Sequence, residues 1–187
     1  MSDNFKKITL NKNFDEFLIR DAYLYACHKD IEAINPGNVN INSPHHDTTA
    51  SDYLISSINS GSELFNDSYS LGDRILSAIV ATKKETQMNT NLGIILLCAP
   101  IAHALLNYKE MSLKEAIAKT IDSATADDTV KICEAINIAN PGGLGNVSDY
   151  DTKSMPVVKL REIMSYSAQY DRISYQYHNN YEDILDF

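Results

Sequence analysis

The chain has 187 residues, which suits one domain, and 44% of them are apolar, which is enough to fill a core. Acidic residues outnumber basic ones by 25 to 16, the net charge is −9, and no basic run is longer than Lys83-Lys84, so nucleic acid is not an expected partner. The apolar run at 93–106 is shorter than the roughly 18 to 20 residues that span a bilayer, and 1–17 does not resemble a secretion signal, so no membrane partner is expected.

The three cysteines are odd in number and have no spacing typical of a metal site. Cys27, Cys98 and Cys133 each lie in an apolar, helical context, and we expect them to be reduced core residues. The sequence therefore predicts a cytoplasmic protein.

Hydrophobic periodicity predicts helices along the whole chain. We place them at 14–33, 51–59, 70–86, 90–108, from 112, at 125–139, and as one or two helices from about 155 onward. Three polar pairs predict N-termini: Ser70 with Asp73, Ser112 with Glu115, and Thr125 with Asp128. No alternating pattern is long enough for a strand, so we expect a single all-α domain over 1–187, with about 7–9 helices around the apolar helix at 90–108.

Five of the seven glycines lie in three turns that adjoin predicted helix ends. The turns are NPGNVN at 35–40, NTNLG at 89–93 and NPGGLG at 140–145. Unpaired N–H groups at helix N-termini and glycine turns bind phosphate without a basic side chain. Each turn alone is equally typical of a helix terminator, so both interpretations stay open here.

A polar segment, SPHHDTTASDYLISS, separates the first two predicted helices. Its His45, His46, Asp47 and Asp52 are residue types that ligate metals or act as general acids and bases. A solvated loop in which Asp47 or Ser51 caps the next helix is the alternative. His103 differs, because it shares a helix face with leucines, and we expect it to be a core histidine bonded to a backbone carbonyl.

The motifs occur in a fixed order over nearly the whole chain. They are PGNV after the first helix, DYLISS, NTNLG, AINIANPGGLG with Asp151 shortly after it, and DRISYQY. In this order they resemble the triphosphoribosyl-dephospho-CoA synthase family, most closely its shorter archaeal and methylotroph-type branch.

This resemblance implies a transferase that binds ATP with Mg²⁺ and a CoA-like acceptor. The ribose 2′-hydroxyl of 3′-dephospho-CoA displaces adenine from C1′ of ATP, and the product serves the biosynthesis of a prosthetic group for an acyl carrier protein. Such a reaction needs a carboxylate near C1′, a base for the hydroxyl and donors for the triphosphate.

The resemblance also implies roles for residues at matching positions. Asp47 and Asp52 would be base or metal-holding carboxylates, and His46 an accessory acid. The nucleotide site would be lined by Asn38, Asn89, Asn91, Gly93, Gly142 and Gly143, with Arg172 as the charged contact to phosphate. Asp151 and Asp171 would join Asp47 as metal ligands.

The chain departs from the family pattern at basic positions. Asn35 stands where better-known members have lysine, and Asn91-Leu92 stands where the bacterial branch has His-Lys. These losses favour a changed substrate, or a nucleotide-binding relative without catalysis. Relatives also continue past the end of this chain, which predicts a C-terminal truncation relative to the family.

A different enzyme class is the second alternative. A helical metal-dependent phosphohydrolase would use His28, His46 and Asp47 with Asp127 or Asp128 as metal ligands.

Tyrosines recur on one face near the C-terminus. Tyr166, Tyr170, Ile173, Tyr177, Tyr181 and Ile184 follow helical spacing. A stripe this regular is typical of packing more than of base stacking. We expect it to serve the core or a homodimer interface, the latter through Ile184, Leu185 and Phe187.

Overall fold

The computed structural model describes residues 15–34, 39–43, 48–142 and 151–186. Within these ranges the chain is all helical and contains no strand. The α-helices are α1 Glu16–Glu32, α2 Ala50–Leu64, α3 Leu71–Thr86, α4 Leu92–Asn107, α5 Leu113–Ser123, α6 Ala126–Ala139, α7 Leu160–Ser167, α8 Arg172–Asn179 and α9 Glu182–Leu185. A short 3₁₀ helix covers Thr152–Ser154. The predicted all-α class is confirmed.

The predicted helix N-termini are confirmed in atomic detail. Ser70 Oγ accepts from the backbone N–H of Asp73, and both Ser112 with Glu115 and Thr125 with Asp128 form capping boxes. These bonds form within one turn, which is why a sequence pattern reveals them. The second helix is longer than predicted and extends to Leu64, and three short helices follow residue 155 where one or two were expected.

Helix α4 is the centre of the fold, as predicted. It packs against α1, α2, α3, α5 and α8, and none of its residues before Asn107 is exposed. Among the described residues, no helix is both long and apolar enough to cross a membrane.

The packing of α3 against α6 is unusually close. An added Cβ on Gly72 would lie 2.6 Å from the Cα of Asp128. The Gly72 N–H donates a 2.8 Å bond to Asp128 Oδ1, while Asp128 Oδ2 accepts from the N–H and hydroxyl of Thr125. One carboxylate therefore caps two helices, α3 and α6.

His103 and Cys98 differ from the expectations for the core. Among the described residues His103 finds no carbonyl partner; its Nδ1 is unpaired and its ring meets that of Tyr108 edge-on. All three cysteines are free, with Cys27 and Cys133 buried but Cys98 only half-buried.

Candidate functional site

A cavity of about 560 Å³ lies between α4, α6, α7 and the start of α8. Its inner walls are aliphatic and come from buried residues such as Leu96, Ile132, Leu160 and Ile163. The charged side chains among its described lining residues lie at its rim. A concave, mostly apolar site with few polar groups is the usual form of a small-molecule binding site, which suits this volume.

Five of the sequence-predicted site residues line this cavity. They are Asn89, Gly93, Gly142, Asp151 and Asp171. They belong to three segments that are far apart in the chain, so tertiary packing brings them together. That they bind the nucleotide and the metal stays a prediction. Four other predicted residues, Asn38, His46, Asp47 and Gly143, lie outside the described residues.

Residues of the NTNLG turn lie on two sides, one toward the cavity and one toward α2 and α3. Asn89 and Gly93 face the cavity, and Asn89 Oδ1 accepts from the Leu92 N–H at 3.4 Å. Asn91 is buried away from it, and its amide donates to the hydroxyls of Ser60 and Thr82. The Asn91 side chain therefore joins α4 to α2 and α3, and its predicted place in the nucleotide site stays a prediction.

Thr90 forms a second link between two of the predicted motifs. Its hydroxyl contacts that of Ser56, and the Ser56 hydroxyl also donates to the backbone carbonyl of Asp52. The NTNLG and DYLISS segments are thus joined through buried hydroxyls. Neither Ser56 nor Ser60 was predicted from the sequence, where their only signal was a spacing of four residues on one helix.

Asp52 lies outside the cavity and closes the capping box of α2. Its Oδ2 accepts from the N–H and the hydroxyl of Thr49, at 2.8 Å each. These hydrogen bonds lower the pKa of the Asp52 carboxyl below its ordinary value. A lowered pKa makes Asp52 a weaker proton acceptor, while its catalytic role stays a prediction.

Asp151 and Asp171 are N-caps at the rim of the cavity. Asp151 Oδ1 accepts from the Lys153 N–H at 2.9 Å, and Asp171 Oδ1 accepts from the Ile173 N–H at 2.8 Å. Each carboxylate retains lone pairs for a further contact. Within the described part of the chain no three His, Cys, Asp or Glu side chains form a metal-binding cluster. The rim therefore offers carboxylate oxygens from two segments, but no complete protein-only metal cage.

Arg172 does not line the cavity. Its guanidinium pairs with Asp183 of α9 and lies 4.6 Å from the ring centroid of Tyr175. The predicted contact of Arg172 with phosphate stays a prediction, while its guanidinium is paired within the C-terminal helices. Among the described lining residues Lys153 is the cation, and its only sequence signal was its position two residues after Asp151.

The tyrosine stripe has two parts. Tyr177 and Tyr181 are fully buried, which confirms packing for them. Tyr166 and Tyr170 instead line the cavity, and Tyr170 is 82% exposed.

The described ligands of the phosphohydrolase alternative are engaged elsewhere. His28 lies 3.3 Å from Glu32 on the same helix, Asp127 pairs with Lys131, and Asp128 caps α3 and α6. None of the three lines the cavity. The described residues give this alternative no support.

The described part of the chain is an all-α fold with an apolar cavity, and the rim of this cavity carries the N-terminus of α4 and two carboxylates, an arrangement typical of small-molecule sites. A family model narrows the class. The model of the CitG family, ATP:dephospho-CoA triphosphoribosyl transferase, matches residues 16–187, and the chain belongs to this family. The comparisons found no matching curated protein and no matching solved structure.

Proposed function

We propose that the protein transfers the triphosphoribosyl group of ATP to the ribose 2′-hydroxyl of 3′-dephospho-CoA, or a related acceptor, and releases adenine. The family match over 16–187 carries this proposal. A bond forms between C1′ of ATP and the acceptor 2′-oxygen, and the C1′–N9 bond to adenine breaks. The hydroxyl proton passes to a base, and adenine leaves as the neutral base after gaining a proton.

The rim of the cavity supports binding of the triphosphate there. Asn89 and Gly93 lie at the N-terminus of the 16-residue helix α4, where backbone N–H groups and the helix dipole favour an anion. Lys153 adds a positive charge to the same rim. These features supply part of what a protein with a net charge of −9 needs to hold ATP.

Mg²⁺ fits the carboxylates of this rim. Magnesium in nucleotide sites takes one or two carboxylates together with substrate phosphates and water, so a complete protein cage is not required. Asp151 and Asp171 would hold it, and the ion would neutralise phosphate charge. Among the described candidates these two carboxylates line the cavity, whereas Asp52 does not.

We propose that Asp52 is not the base of the reaction. Its lowered pKa makes it a weaker proton acceptor, and it does not line the cavity at whose rim we place the triphosphate and the metal. The contact between Ser56 and Thr90 ties the first turn of α2 to the NTNLG turn. On this proposal the base comes from Asp47 or His46.

Free adenine is the product that tests the function. Purified protein is incubated with ATP, Mg²⁺ and 3′-dephospho-CoA, and adenine is separated by chromatography. We expect adenine to appear only when all three are present. Absence of adenine, together with absence of thermal stabilisation by ATP, would reject the transferase.

A nucleotide-binding relative without catalysis is the second candidate. Leu92, which stands where the bacterial branch has lysine, is buried in the cavity wall. Stabilisation by Mg-ATP with no adenine released would identify this candidate.

The setting of the protein is part of the proposal. Free Cys27, Cys98 and Cys133 fit a reducing compartment, so we propose the cytoplasm.

Ile184 is 41% exposed, and we propose a homodimer through this end of the chain. Light scattering after size exclusion would reject the dimer by giving a monomer mass at high micromolar concentration.

A further inference from the structure

The cavity has two chemically distinct zones. Among its described lining residues, the charged side chains are Asp151, Lys153 and Asp171, and all three lie at the rim. The inner zone is formed by buried aliphatic residues of α4, α6 and α7, together with Cys133. Burial raises the pKa of the Cys133 thiol to about 11, so the thiol adds no charge to the inner zone at neutral pH.

The buried hydroxyls of the inner zone act as acceptors toward a ligand. Thr129 is fully buried, and its hydroxyl donates to the Thr125 carbonyl at 3.3 Å. Ser174 donates its hydroxyl proton to Asp171 Oδ2 at 3.0 Å. Each hydroxyl hydrogen is therefore used inside the protein, while oxygen lone pairs remain. An amide N–H or a thiol fits such groups, whereas a phosphate oxygen is itself an acceptor and does not.

The inner zone also fits a flexible chain better than a purine. Its buried walls are aliphatic, and the aromatic rings that line the cavity, Tyr166 and Tyr170, belong to exposed positions. Among the described lining residues, the buried hydroxyls offer a base no donor for its ring nitrogens, and no buried ring is present on which it could stack. The volume of about 560 Å³ is that of a site for one drug-sized group, not for two complete nucleotides.

We propose that the inner zone binds the pantetheine arm of the acceptor and selects CoA-type acceptors over plain nucleotides. This inference rests on the proposed function. The arm is uncharged, carries a branched alkyl group, and ends in a thiol. Its two amide N–H groups match the acceptor oxygens of Thr129 and Ser174. The diphosphate and the reacting ribose of the acceptor then stay at the rim, beside Asp151 and Asp171.

A tryptophan in the cavity wall tests the proposal. The chain has no tryptophan, so Ile136→Trp, on α6 in the cavity wall, introduces a single fluorophore and narrows the inner zone. We expect at least a 10-fold rise in KM for dephospho-CoA and less than a 2-fold change in KM for ATP. The matched control is Val80→Trp on α3, which is 47% exposed and outside the cavity, and both KM values should keep their wild-type size.

Wild-type protein gives an independent test that needs no folded variant. ADP shares the adenosine diphosphate of dephospho-CoA but lacks the arm, so we expect at least 10-fold lower kcat/KM with ADP as acceptor. Pantetheine alone should inhibit competitively against dephospho-CoA and not against ATP. Equal use of ADP, or competition between pantetheine and ATP, would overturn the proposal.

Failure of the proposed function has a different signature. The wild type would then release no adenine with any acceptor. Calorimetric titration of the wild type with pantetheine would still report the inner zone: saturable binding that Ile136→Trp weakens at least 10-fold and Val80→Trp keeps supports arm binding, and no binding by the wild type overturns it.

Discussion

The hydroxyl of Tyr177 donates a 2.6 Å hydrogen bond to the carbonyl oxygen of Leu96, four residues before Pro100 in α4. Proline has no N–H, so it cannot supply the helical bond that this carbonyl would otherwise receive. The Tyr181 hydroxyl donates to the next carbonyl, that of Leu97, at 3.1 Å. Two buried tyrosines of the C-terminal segment thus complete the central helix.

Tyr177→Phe should lower the free energy of unfolding by about 1–2 kcal/mol, because it removes the shorter of the two hydrogen bonds to the buried Leu96 carbonyl and leaves only the 3.4 Å bond from Tyr181. Chemical denaturation measures the change. The exposed Tyr170→Phe is the matched control and should change stability by less than about 0.5 kcal/mol.

A double-mutant cycle shows whether Pro100 is the cause. Pro100→Ala restores an N–H that can bond Leu96. In that background Tyr177→Phe should cost clearly less than in the wild type. An undiminished cost would show that the tyrosine acts by packing alone.

Gly72→Ala should destabilise the fold by at least about 2 kcal/mol, because the new methyl group would overlap the backbone of Asp128 on α6. Gly142→Ala is the control, since no atom of the described residues lies within 4 Å of its added Cβ. Thermal and chemical unfolding of both variants provide the comparison. Equal stability of the two would contradict the close contact between α3 and α6.

Stability should fall with acid through His103. Burial, together with the nearby Arg74 charge, lowers the pKa of His103 to about 4. The unfolded chain binds this proton at about 6.5, so the folded state loses stability as pH falls from about 6.5 to about 4.

His103→Gln removes this contribution. Its unfolding free energy should fall less steeply across that window, by at most about 1.4 kcal/mol per pH unit. Denaturation curves at half-unit pH steps measure the difference, and parallel curves for the two proteins would contradict it.

Asp171→Asn separates metal binding from helix capping. Asparagine caps a helix about as well as aspartate, so stability should stay within about 0.5 kcal/mol of the wild type. The lost carboxylate should raise KM for Mg-ATP at least 10-fold if Asp171 holds Mg²⁺, as proposed.

Two further variants control this experiment. Asp171→Ala should also cost about 1 kcal/mol of stability, because the α8 cap is lost. Asp21→Asn, on the exposed side of α1, should leave KM unchanged. An unchanged KM in Asp171→Asn would show that Asp171 caps α8 and does not hold Mg²⁺.

Contacts that form within one helical turn could be predicted from the sequence. Ser70 with Asp73, Ser112 with Glu115 and Thr125 with Asp128 bond three residues apart, so their spacing alone predicts helix starts. The apolar residues of α4 predicted its central place, because a helix that is apolar all round must be buried. The ordered motifs, with the glycine turns among them, predicted the family that the match over 16–187 shows.

Tertiary structure decided which residues of those motifs meet the cavity. Asn89 and Asn91 are two residues apart with identical side chains, yet only Asn89 faces it, because Ser60 and Thr82 bond the amide of Asn91. Arg172 forms an ion pair with Asp183, 11 residues further along the chain. Local pattern cannot encode such partners, since contacts between distant segments depend on how whole helices pack.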